Sequence, residues 1–307
     1  MSRFLGYLSV LLLGLGIHSA FALTLEVGPD KTYKNPSEAI DRAKAGDRIL
    51  ISPGEYFDCA FVHENDLVIE GVGKPEAVVL TDKSCGGKAL LVTSGNNITI
   101  RNLTLTRSRV PDGNGAGIRA EGLGLTIDHV RFVNNQNGIL AASQPNGTIT
   151  ISNSEFLQNG TCEHACAHAI YVNALKLLHV EHTHFLETKS GHNIKSRAVR
   201  TEVIGCTIED GPNGTSSYQI EIPNGGSLVA RDNVMEKGPK AENHGTAIAI
   251  GTEGVNQRTE ELLIENNKLT LDGEYTTVFV RNLTATPAVL KGNVFAGIGH
   301  VKPLEGD

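Results

Sequence analysis

The sequence predicts an all-β solenoid, in which short parallel strands stack turn upon turn around one continuous core. Three observations predict it. An alternating segment recurs at residues 98–105, 125–132, 149–156 and 178–185, and more weakly at 201–208, 228–235, 262–269 and 288–295, with starts roughly 23 to 34 residues apart, a period typical of solenoid repeats. A second short strand lies between these segments. Aligned on one inward aliphatic, it gives the column Ile118, Ile139, Ile170, Ile194, Ile220, Ile248 and Val278, the seam expected of a stacked core. Composition agrees, since 34 Gly and no Trp suit frequent turns around a thin core.

Taken in order, residues 1–22 read as a signal peptide: Arg3 supplies the charge, residues 5–16 are apolar, and Ala20-Phe21-Ala22 is a small-x-small cleavage site. The apolar run is short for a membrane span, and no later stretch reaches the roughly 18 apolar residues that a span needs. Residues 23–307 then form one domain of about 285 residues. Without Arg3 it carries 26 basic against 34 acidic residues, a net charge of −8, which argues against nucleic acid as a partner. Residues 23–27 read as a strand. A helix follows, with Asn35 as N-cap, Pro36 at its first position, Ala39, Ile40 and Ala43 on one face and Gly46 as the stop; it is expected to close the N-terminal end, as terminal caps do.

Five cysteines in an exported chain point to disulfides. The expected pairs are Cys59 with Cys85, flanking one turn of the solenoid, and Cys162 with Cys166 in a local loop, which leaves Cys206 as a buried thiol stacked between rungs. Cys162, His164, Cys166 and His168 alternate, which invites a zinc reading. Ligands adjacent on one straight strand cannot wrap a tetrahedron, so no metal is assigned there.

The order of signal, short strand, helix with NPSEAIDRAKAGDRILISPGEY, then turns punctuated by Asn and Gly resembles the right-handed parallel β-helix proteins of the pectin lyase-like superfamily. The likeness covers nearly the whole domain. Its opening segment is similar to that of pectin methylesterases and many bacterial β-helix proteins, and is specific for fold rather than activity. Six Asn-x-Ser/Thr sequons begin at Asn97, Asn102, Asn146, Asn159, Asn213 and Asn282, several where such a fold needs Asn at a turn.

On a strand, residues two apart share a face, so the seam also maps the outer side of its sheet. Directly after the inward aliphatic stand Arg119, Leu140, Tyr171, Lys195, Glu221, Ala249 and Phe279, and two further on stand Glu121, Ala142, Asn173, Arg197, Pro223, Gly251 and Arg281. Tyr171, Asn173, Lys195, Arg197 and Glu221 should therefore converge within roughly 10 Å, about two rung spacings, between blander rungs. His168 and His192, with Tyr218 next, are expected as an inward ladder at the strand entrance, able also to reach the groove edge.

The resemblance implies polysaccharide bound along this outer sheet, with Lys and Arg serving β-elimination of a uronide. In that scheme Lys195 is the base, its ammonium disfavoured by Arg197; Arg197 holds the substrate carboxylate; and Tyr171 donates to the leaving oxygen. Asn173, Glu221, His192 and His168 complete the substrate contacts. A non-catalytic glycan-binding or structural β-helix is the alternative, in which Glu221 merely pairs with its cationic neighbours. Glycoside hydrolysis fits less well, because the outward acids Glu121 and Glu221 fall four rungs apart, near 19 Å by the rung spacing, and the aspartates of a pectin methylesterase are missing from this sheet. The expected partner is a polysaccharide or oligosaccharide met by a monomeric chain. No cofactor is implied, although Asp128, Glu209 and Asp210, on another sheet or its turns, could hold calcium.

Overall fold

In the computed structural model the chain is described over residues 22–163 and 165–306. The expected leader falls outside these residues apart from Ala22, as does His164. Among the described residues the strand ladders are all parallel, in one sheet of ten strands and one of nineteen. The larger sheet turns a corner within the strands Ile98–Thr106 and Gly124–Val133, so each coil of about 10 in all contributes three strand segments. None of the described helices is long and apolar enough to cross a membrane.

The corners explain the recurring Asn. At the bend inside the large sheet Asn102, His129, Asn153, His182, Asp232 and Asn266 all take a left-handed backbone, with φ between 45° and 58°, a conformation that short polar side chains tolerate better than most. In the later coils the residue after the bend is an inward Asn that takes up backbone groups the corner would leave unpaired. Asn233 Oδ1 accepts from the Cys206 amide, Asn267 Oδ1 from Asn233 and Asn293 Oδ1 from Asn267, at 2.8 to 3.1 Å. Cys206, the free thiol, sits in this ladder, buried. A second ladder at the next corner joins Asn135 to Asn159 at 3.0 Å. These buried polar groups are stable because each meets a partner. Asn159 is wholly buried and Asn282 1% exposed, so the folded protein cannot present either sequon to a glycosyltransferase.

The core is apolar and narrow. Phe132, Phe156 and Phe185 stack at centroid spacings of 4.5 and 4.9 Å, close to the rung repeat itself. Facing them is Gly138, where a Cβ would come within 2.7 Å of the Phe156 ring and 2.5 Å of the Ala169 carbonyl; the ring stack occupies the volume a side chain would need. Phe156→Ala should cost about 3–5 kcal/mol, read as a lower midpoint in urea.

Both disulfides are present, Cys59–Cys85 with Cα atoms 5.5 Å apart and Cys162–Cys166, so neither thiol of the second pair is free to bind zinc. Replacing Cys59 and Cys85 together by serine should remove about 2–4 kcal/mol of stability, visible as a lower Tm.

Two expectations need correction. The helix spans only Pro36–Ile40, and Asn35 caps no amide with its side chain. Asp58 does so from the next coil, accepting from the Ser37 amide at 2.7 Å, while Asn35 donates to Glu38. Ala43 is buried beyond the helix end, in the following turn. In the seam, Ile118 to Ile248 pair as expected, but Ile248 is followed by Val280 rather than Val278. Phe279 turns into the core instead, packing edge-on against Phe295 at 5.2 Å, so the large ring takes the inward place and Arg281 moves beside Ala249.

Candidate functional site

The outer side of the ten-stranded sheet carries the polar cluster. Tyr171 stands beside Lys195 and Lys195 beside Glu221, on the strands Ile170–Val172, Ile194–Ser196 and Ile220–Ile222. On the rungs before it the surface is apolar, with Ala89, Val92, Ala116 and Leu140 packed under Cys85 and against Tyr171. Arg119 is held by Glu121, which also receives Lys88 at 2.7 Å.

A loop not expected from the strand map closes over the cluster. It follows the strand Thr246–Ile250 and doubles back across two rungs, tied by the Glu253 amide to Pro223 O and by the Gln257 amide to Asn224 O, with the Gln257 side chain donating to Arg197 O at 2.6 Å. This places the Glu253 carboxylate between the two bases. One oxygen accepts from Lys195 Nζ at 2.6 Å and the other from Arg197 Nη2 at 2.6 Å. Lys195 also meets Glu221 at 3.0 Å. Arg197 donates through Nε to the Tyr171 hydroxyl at 3.2 Å and through Nη1 to Asn224 Oδ1. Both cations lie 5.7 Å from the Tyr171 ring centre.

These contacts set the charges. Burial opposes the Lys195 ammonium, but Glu253 and Glu221 outweigh it and raise the lysine above its ordinary range. The expectation that Arg197 would depress Lys195 therefore fails, because two carboxylates stand within 3.0 Å of the ammonium. Burial likewise pushes Glu221 up, yet the His192 ring, Thr252 and Lys195 bring it down to about 2. Glu253 is lowered too, its burial outweighed by hydrogen bonds from Lys195 and Arg197.

The histidines form a ladder, but on the outer side. Asn137 Oδ1 accepts from the His168 amide and His168 Nδ1 from the His192 amide, both at 2.9 Å; the Tyr218 amide reaches His192 Nδ1 at 3.4 Å. These donors leave the ring proton on Nε2, and His192 Nε2 lies 3.0 Å from Glu221 Oε2. His168, stacked on His192 at 4.6 Å, is kept neutral by burial and by the neighbouring positive groups, which hold it well below the usual histidine range. The seam turns at Ala169, whose methyl joins Ile170 in the core, and the residue before it is thereby sent outward rather than inward.

Tyr171, Lys195, Arg197, Glu221, His192 and His168 are thus brought together. Asn173 is not; its Nδ2 donates to Ala141 O at 2.9 Å and clips adjacent rungs. Strand reasoning missed Glu253, Thr252 and Asn224, although the longest repeat spacing, from residue 228 to 262, marks the coil that has chain to spare for a loop. The two carboxylates sharing Lys195 also change the argument on hydrolysis: they stand within roughly 6 Å, near the separation of a retaining glycosidase pair. Hydrolysis needs one of them protonated, and both are held ionised. Asp128, Glu209 and Asp210 bond to Ser152 and Asn153, to His184, and to Gly238, and among the described residues no three acids, histidines or cysteines converge as metal ligands.

A continuous parallel solenoid with a polar cluster on one outer sheet defines the class. The chain is a right-handed parallel β-helix protein of the pectin lyase-like fold; the family described as "Right handed beta helix region" matches residues 58–207. Among solved structures it is similar to an alginate lyase from Paenibacillus sp. str. FPU-7, at 17% identity and a TM-score of 0.62 over 92% of this chain and 99% of that one. It is also similar to the tailspike protein gp49 of Acinetobacter baumannii bacteriophage Fri1, a capsular polysaccharide depolymerase (14%, TM-score 0.47, 92% and 64%), and to a pectin methylesterase from Aspergillus niger (11%, TM-score 0.40, 92% and 87%).

Proposed function

We propose that this chain is an exported, polysaccharide-active protein that binds a uronic-acid-containing glycan on the outer face of the ten-stranded sheet and cleaves it by β-elimination. One observation carries the reading: Lys195 and Arg197, two residues apart at the end of the strand Ile194–Ser196, converge on a single carboxylate, that of Glu253, with the Tyr171 hydroxyl on Arg197. Glu253 occupies the place a uronate carboxylate would take. It is the more movable partner, with its side chain 42% exposed against 4% for Glu221. Displaced by substrate, it leaves Arg197 to hold the substrate carboxylate and Lys195 beside the α-carbon. Lys195 takes the α-proton, the C–H electron pair becomes the new double bond, and the bond to the leaving oxygen breaks as that oxygen receives a proton from Tyr171. Positive charge at Arg197 stabilises the enediolate that develops. Export rests on residues 1–22 and on the two disulfides. The likeness to an alginate lyase adds a fold-level analogy only.

Glycan binding without catalysis is the second reading, favoured by the raised Lys195, which keeps a would-be base protonated at neutral pH. Ultraviolet absorbance of the unsaturated product, followed on pectate, alginate and glycosaminoglycans with and without calcium, separates the two. Absorbance growing on one polymer supports elimination; binding to that polymer with no absorbance at any pH sinks it.

A further inference from the structure

A second cationic pair lies beside the turn that leads into the same strands. Arg109 and Lys189 come from coils far apart in sequence, yet both donate to one neutral oxygen, Asn134 Oδ1, at 2.9 and 3.2 Å. Lys189 spans two rungs to do so. The pair borders a cavity of about 620 Å³ that Gln136 and Ser190 also line. Glu163 and Glu242 line its other parts, but among the described residues neither forms an ion pair with Arg109 or Lys189. The contrast with the outer sheet is direct, since Lys195 and Arg197 are both bridged by Glu253. Two cations sharing one amide oxygen repel each other, and an anionic oxygen placed between them would turn two hydrogen bonds to a neutral acceptor into two ion pairs.

From this geometry we infer that the Arg109–Asn134–Lys189 cleft is a second saccharide subsite, which takes the anionic group of one sugar residue. The nearby carboxylates restrict it to a single negative charge and supply acceptors for sugar hydroxyls. Lys189 leads within a few residues to His192 and the strand of Lys195, so a chain crossing the outer sheet can continue into the cleft. The inference rests on the glycan-binding half of the proposed function and is independent of elimination.

The test is calorimetric, with every protein carrying Lys195→Arg to prevent turnover. Pectate and alginate hexasaccharides present carboxylates, a chondroitin sulfate hexasaccharide presents sulfate as well, and cellohexaose is neutral. Arg109→Ala with Lys189→Ala, and separately Asn134→Asp, which sets a carboxylate between the cations at a left-handed position that Asp tolerates, should each weaken binding of an anionic hexasaccharide about tenfold or more. Cellohexaose binding should not change, and stronger binding of the chondroitin sulfate would name sulfate as the preferred anion. If wild-type protein forms no unsaturated product on any polymer but the variants still lose affinity, elimination fails and the subsite stands. If product forms and both variants bind every hexasaccharide as tightly as the parent, the subsite is wrong, as it is if no anionic hexasaccharide binds at all.

Discussion

Lys195→Arg should abolish uronide elimination while leaving the protein folded. A guanidinium preserves the charge that Glu221 and Glu253 need, so neither carboxylate is left buried without a partner, but it cannot lose a proton near neutral pH and so cannot serve as a base. Loss of a general base costs on the order of 10²–10⁴-fold in rate. Arg197→Ala should lose a comparable factor through a different step, since the substrate carboxylate is then neither held nor neutralised. Lys195→Ala is the less informative change, because it leaves Glu221 and Glu253 facing each other and should lower Tm as well as activity. Product formation by Lys195→Arg at more than a tenth of the wild-type rate would remove Lys195 as the base.

Glu253→Gln should shift the pH dependence of elimination toward lower pH. The working form of Lys195 is the neutral amine, and Glu253 and Glu221 hold the lysine above its ordinary range. In the wild type kcat/KM should therefore still be climbing on the alkaline side, following the protonation of free enzyme. Taking one negative charge away disfavours the ammonium, so the climb begins at lower pH and the rate at neutral pH rises. The same change loosens the loop's hold on both bases and should lower the KM for oligouronates, because substrate no longer competes with an internal carboxylate. A limb that stays in place while KM falls would leave Glu253 as a gate and deny Lys195 its role as base. A fall in rate at every pH, with KM unchanged, would instead make Glu253 a positioning residue.

Much of the architecture was legible in the chain because a solenoid repeats local rules. Inward aliphatics at one position per coil and a short polar residue at most bends recur in sequence as they do in space, and Cys59 could be matched with Cys85 because they are one coil apart. The errors arose where one coil departs from the rule. Val278 and Val280 are equally plausible seam residues by pattern, and the volume of Phe279, which the core accepts, selects Val280. The histidines were placed on the wrong side because the seam turns at Ala169, a bend that alternation alone does not reveal.

By itself, then, the sequence determined the stacking and the neighbours on each rung, including the adjacency of Tyr171, Lys195 and Glu221, since a parallel register makes residues one coil apart into neighbours. Only the tertiary structure decided the charge of the site. Glu253 lies 58 residues from Lys195, and it reaches the lysine through a loop whose path follows no repeat. Two carboxylates within hydrogen-bond reach outweigh both burial and the neighbouring guanidinium, so the environment of Lys195 was reversed by contacts that no periodicity encodes.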